Sequence, residues 1–191
     1  MSKLVFVTIG FVEFHKGQDL LIEAIESIDS DLLEQCEFII VGNSSSLFAK
    51  ELKERIKKIS CIKMLGIINR KEIHRLLTCS NVLICPSRED SMPTVCAEAM
   101  MHKIPCIVSS AVGTSIYINH KHNGLVFSNG NVDDLMNNII WCINNKYKLI
   151  DMGEKAYDVY KKYFSVEAFE EKLMKYVREM IIESDDIDEC N

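Results

Sequence analysis

The sequence predicts an α/β protein: a doubly wound, Rossmann-like parallel sheet with helices following it. Three observations carry this. Between Leu4 and Ser109, short apolar runs rich in β-branched residues alternate with segments whose apolar residues recur at helical spacing. The short runs are continuously apolar, as strands buried on both faces of a parallel sheet are. The interleaving makes βαβ units, which wind helices onto both faces of one sheet.

Leu4 to Ile9 reads as the first strand and ends at Gly10. Leu20, Leu21, Ala24, Ile25 and Ile28 mark a helix after it. Phe38 to Val41 is the second strand, closed by Gly42, and Phe48, Leu52, Ile56 and Ile59 mark the second helix. Ile62 to Leu65 is the third strand, closed by Gly66, with a helix through Ile73, Leu76 and Leu77. Val82 to Cys85 is the fourth strand, stopped by Pro86. Thr94 to Met101 is helical and Cys106 to Ser109 is a fifth strand. The pattern then changes: Val132 to Ile143, Leu149 to Tyr163 and Phe169 to Met180 give three amphipathic helices with no strand between them.

The 191 residues are 48% hydrophobic and 26% charged, which excludes a disordered chain and suits one domain over 1–182. The formal charge is -6, but residues 183–191 hold five acids and no base, so the body is close to neutral. That balance argues against a nucleic-acid binder. The acidic end is expected to be a disordered tail. No apolar run approaches a membrane span, and the N-terminus runs straight into a strand, with no signal peptide expected. The eight cysteines sit mostly in apolar runs without a C-x-x-C pair. They read as small apolar filler in a reduced, cytosolic protein, with no metal site.

Ligands bind such sheets beyond the carboxyl ends of the strands. Two segments there carry chemistry. GFVEFHKG, Gly10 to Gly17, joins a strand to a helix and lacks the Gly-Lys-Ser/Thr ending of a P-loop. Its glycine, Lys16 and free helix-start N–H groups suit an anion, although on this segment alone Lys16 reads first as a solvated loop lysine. CPSREDSMPTVCAEAM, Cys85 to Met100, leaves a strand and enters a helix at Pro93 or Thr94. The N–H groups of Thr94 and Val95 then face the strand ends. Asp90 and Glu98 either face the same crevice, accepting hydrogen bonds from ligand hydroxyls, or serve as a helix cap and a solvated helix residue. No G-x-G-x-x-G follows the first strand, which weighs against a dinucleotide oxidoreductase.

The order of motifs resembles the C-terminal, donor-binding domain of the family 4 (group 1) retaining glycosyltransferases of the GT-B fold, from about Leu4 to Asn144. It rests on IGFVEFHKGQDLLIEAI, FIIVG, KMLGIINRKEIHRLLTCSNVLICPSREDSMPTVCAEAM, KIPCIVSSAVGT and HNGLVF. The acid, seven residues, Glu signature of that family runs here from Asp90 to Glu98. The resemblance implies that Lys16 neutralises the diphosphate of a UDP- or GDP-linked sugar and that Glu98 holds the ribose hydroxyls. It implies that Asp90, with the backbone from Ser91 through Met92 and Thr94 to Val95, holds the sugar and phosphates. Gly66 and Ile67 would border the base, and Gly10 the phosphates, with His15 supplying charge beside Lys16. Neither a cofactor nor a metal is implied.

The chain departs from the family at three places. Phe11 stands where many members have Arg, Pro93 where many have Gly, and the first acid is Asp. The resemblance further implies an acceptor-binding domain, absent here or on a separate chain. Through it any peripheral association with the inner face of the membrane would run. Surface polysaccharide or glycoconjugate assembly is the implied role. The rival expectation is a non-catalytic nucleotide-binding or interaction module that works with a partner chain.

Overall fold

Along β1 (Leu4–Ile9) successive side chains point to opposite faces of the sheet, and both faces are covered. Leu4 and Phe6 enter one core, and Val7 enters the other. The same division recurs in β4 (Val82–Cys85), where Val82 and Ile84 face one side and Leu83 and Cys85 the other. This is why the runs look continuously apolar. The computed structural model describes residues 3–188.

Six parallel strands form the sheet in the order β3-β2-β1-β4-β5-β6, with β2 (Cys36–Val41), β3 (Ile62–Gly66), β5 (Cys106–Ser109) and β6 (Gly124–Phe127). The first core lies under α1 (Gln18–Glu26), α3 (Leu47–Ile56) and α6 (Val132–Asn144). The second lies under α4 (Arg70–Thr78), α5 (Thr94–Met101) and α7 (Lys148–Tyr163). The one-turn helix α2 (Ser30–Leu33) precedes β2, and α8 (Val166–Asp188) closes the described chain. No helix among the described residues is long and apolar enough to cross a membrane.

Phe6 and Phe38 are register partners on β1 and β2, and their rings stack at 4.8 Å between centroids and 9° between planes. Both side chains are fully buried, so they anchor the first core where the sheet is longest. Asn69 and Glu72 close a reciprocal capping box at the start of α4, which sets that helix directly after β3.

Two expectations change. A sixth strand is present at Gly124–Phe127, where a four-residue run is too short to stand out by periodicity. The single turn of α2 has no period to read. α8 runs to Asp188, and residues 189–191 of the tail expected over 183–191 lie outside the described ones.

Of the seven described cysteines, all unpaired, only Cys79 is exposed. Burial pushes the Cys36 thiol up to about 11 and raises Cys61 and Cys142. Cys85 and Cys96 are raised by a neighbouring thiol, Cys96 and Cys106 respectively, together with burial.

Replacing Phe38 by alanine empties a fully buried site and removes the stacked partner of Phe6. Urea unfolding is expected to show a loss of about 3–5 kcal/mol.

Candidate functional site

The strand order reverses between β1 and β4, so the segments leaving these two strands diverge and open a crevice. A cavity of about 450 Å³ sits there. Gly10 and Lys16 line it from the β1 side, and Asp90, Met92, Thr94, Val95 and Glu98 from the β4 side. α4 contributes Ile73.

Each side chain is placed by local structure. Lys16 ends a single 3-10 turn, Phe14–Lys16, which Gly17 closes at φ 70° before α1 begins. A Cβ on Gly17 would lie 2.0 Å from the Pro86 carbonyl oxygen, so the two loops touch through backbone alone. On the other side, Pro93 caps α5 in extended conformation, and Cys96 N–H donates to its carbonyl at 3.1 Å. The N–H groups of Thr94 and Val95 are given no acceptor by the described residues, which leaves the positive end of α5 at the cavity. Glu98, one turn further on, faces the same space.

Lys16 Nζ and Asp90 Oδ2 meet at 2.6 Å, with side chains 25% and 13% exposed. This is the central contact of the site, joining residues 74 positions apart. Arg88 holds the two loops in register around it. Its guanidinium donates to both carboxylate oxygens of Asp19 at 2.8 and 2.7 Å and to the Phe14 carbonyl at 2.6 Å. It also lies 3.9 Å from the Phe14 ring centroid. The Arg88 N–H donates to the His15 carbonyl at 2.8 Å. The Asp90 segment is fixed from β5 by the Gly113 N–H, which donates to the Asp90 carbonyl at 2.9 Å.

The structure brings together Gly10, Lys16, Asp90, Met92, Thr94, Val95 and Glu98. Four residues expected at the site do not line the cavity. His15 turns outward, 3.4 Å from Glu13. Ser91 is exposed and lays its carbonyl against Gly113. Gly66 ends β3 and Ile67 follows it, at the edge of the sheet two strands away from the crevice, and Ile67 is 76% exposed.

Thr8 and Gln18 line the floor and were not expected from the sequence. Strand alternation puts Thr8 on the same face as Phe6, beneath α1, and Gln18 is the first residue of that helix. Gln18 Nε2 donates to the Phe11 carbonyl at 2.8 Å. Arg88 has no local signal, since its partner Asp19 is 69 residues away.

Behind α5, His102 shares a 2.9 Å hydrogen bond between ring nitrogens with His74 of α4. Burial, and then the neighbouring His74, hold the His102 imidazolium below its ordinary 6.5.

The family described as Glycosyl transferases group 1 matches residues 1–159. The UDP-Gal:alpha-D-GlcNAc-diphosphoundecaprenol alpha-1,3-galactosyltransferase of Escherichia coli is 25% identical over 148 residues, covering 76% of this chain and 38% of its own. The structure of Anabaena Alr3699/HepE in complex with UDP and glucose superposes with a TM-score of 0.81 at 22% identity, over 93% of this chain and 49% of that one. The C-terminal domain of a glycosyl transferase group 1 family protein (LpcC) from Francisella tularensis gives 0.76 at 19% identity, over 86% and 88%. These structural likenesses show the shared fold. The chain spans 38% of the length of that Escherichia coli relative and less than half the length of two further curated relatives, from Haemophilus influenzae and Klebsiella pneumoniae.

Two outcomes are expected. Gly17→Ala forces a left-handed backbone and a clash with Pro86, and chemical denaturation should show a loss of more than about 2 kcal/mol. His102 takes up protons less readily folded than unfolded, so its contribution is fully present above 6.5 and is lost as pH falls below that value. Thermal melts of His102→Gln should fall less steeply with acid than wild type.

Proposed function

The chain belongs to the group 1 glycosyltransferase family, and we propose that it is the nucleotide-sugar binding part of a retaining hexosyltransferase. The observation that carries this reading is the convergence of Lys16, Asp90, Glu98 and the α5 N-terminus in one cavity at the switch point of the sheet. Each meets one part of a nucleotide sugar. Glu98 accepts hydrogen bonds from the ribose hydroxyls. Lys16 and the first-turn N–H groups of Thr94 and Val95 face the diphosphate. Asp90 accepts from hydroxyls of the transferred sugar.

In glycosyl transfer the bond between the anomeric carbon and the diphosphate oxygen breaks, and its electron pair leaves on the diphosphate. The gain in negative charge is greatest at the oxygen nearest the sugar. A fixed ammonium and a helix N-terminus stabilise that charge without reorganising during the step. No metal is assigned a part, since Lys16 and α5 supply the positive potential.

The acceptor is assigned to a second domain, carried elsewhere in a longer protein or on another chain. Phe11, Phe14, Leu47 and Ile67 all follow strand carboxyl ends and are 58% to 76% exposed. A domain seated over the crevice would cover them. By itself this chain is expected to bind donor and transfer none. Polysaccharide or glycoconjugate assembly on the cytoplasmic side of a membrane is the setting we assign, in keeping with the activity named for the Escherichia coli relative.

Calorimetric titration with UDP, GDP and ADP tests the reading. One of the three is expected to bind, and Glu98→Ala should weaken it at least tenfold, about 1.4 kcal/mol. Binding that survives Glu98→Ala unchanged would remove the ribose role, and no binding of any nucleotide by wild type would remove the donor site.

A further inference from the structure

The cavity is poor in cations. Among the described residues that line it, Lys16 is the single base, against the two carboxylates of Asp90 and Glu98. Two further cations stand outside it: Arg88 is spent on both oxygens of Asp19, and Arg70 lines a neighbouring cavity with Thr94 and Glu98 but not this one. His15 lies outside beside Glu13. The one ammonium is already engaged by Asp90 at 2.6 Å. A diphosphate entering this site must therefore compete with Asp90 for Lys16.

The competition has a chemical consequence. When the diphosphate takes Lys16, Asp90 is left as a carboxylate with 13% of its side chain exposed, beside a second anion. Such a group is costly unless hydrogen-bond donors replace the lost counter-charge. A bare nucleoside diphosphate offers its ribose hydroxyls, which belong at Glu98, and the N–H groups of its base, at the end of the molecule remote from the phosphates. A nucleotide sugar carries further hydroxyls, attached next to the phosphate that takes Lys16. These are placed where the freed carboxylate needs donors.

Resting on the donor-site reading above, we infer that Asp90 is a specificity-determining residue. It makes the pocket favour a nucleotide sugar over the nucleoside diphosphate that remains after transfer. The Lys16–Asp90 pair acts as a stand-in for the ligand's own charges: it re-forms when the sugar has gone and helps to eject the product. This role is separate from holding the sugar, because it predicts tighter binding on removal of the carboxylate.

The test is calorimetry on wild type and Asp90→Asn with three matched pairs: UDP and UDP-glucose, GDP and GDP-mannose, ADP and ADP-glucose. For the pair that binds, wild type should prefer the sugar form at least about fivefold. Asp90→Asn should tighten the bare diphosphate about tenfold and bring the preference below about twofold. A thermal melt checks that the variant is folded, and Asp90→Ser takes its place if it is not. The wild-type ratio needs no variant at all. Equal or weaker binding of the bare diphosphate by the folded variant overturns the inference, as does a wild type that prefers the bare form. A wild type that binds none of the six ligands overturns the donor-site reading itself and this inference with it, a result visible before any variant is made.

Discussion

The whole site depends on β1 and β4 being neighbours in a parallel sheet. Parallel pairing sends each connection back across a face of the sheet, and at this one junction the connections leave in opposite directions. The gap between them is a product of topology. The first loop brings a 3-10 turn with a lysine, and the second brings a helix start with two acids. Burial of both faces locks the strands beneath, so the crevice has a rigid floor while its chemistry is set by a few loop residues.

Rigid strands alone would leave the loops free to drift. Arg88 removes that freedom by binding the side chain of Asp19, the carbonyls of Phe14 and His15, and the Phe14 ring. Bidentate Arg–carboxylate pairing fixes direction as well as distance. The glycine-to-carbonyl contact of Gly17 with Pro86 sets the spacing of the same two loops. Lys16 and Asp90 therefore meet because their backbones are held. Their attraction is one part of a larger clamp, which also explains how a single cation can be made the centre of a site containing two carboxylates.

Much of the fold is legible in the sequence, because strands buried on both faces leave unbroken apolar runs and Pro93 marks the start of α5. Lys16, Asp90 and Glu98 are legible as a set for a related reason: each lies within a short stretch next to a strand end. Illegible features depend on distant parts of the chain. Gly66 and Ile67 end a strand as Gly10 does, but only the lateral order of strands shows that β3 is at the edge. Arg88 could be placed only by knowing what Asp19 does 69 residues earlier. Thr8 and Gln18 could be placed only from the face on which α1 packs. β6 and α2 were too short for any period to establish itself.

The buried cysteines have a consequence for how the molecule ages. A thiol reacts with peroxides and disulfides as its thiolate. Burial and neighbouring thiols hold Cys36, Cys61, Cys85, Cys96 and Cys142 in the protonated form, away from solvent. While the chain stays folded these sulfurs are buried, unreactive thiols. Oxidative damage to them must wait for a local or global opening, so the rate of such damage follows the opening equilibrium of the sheet and not the oxidant's access to the native surface.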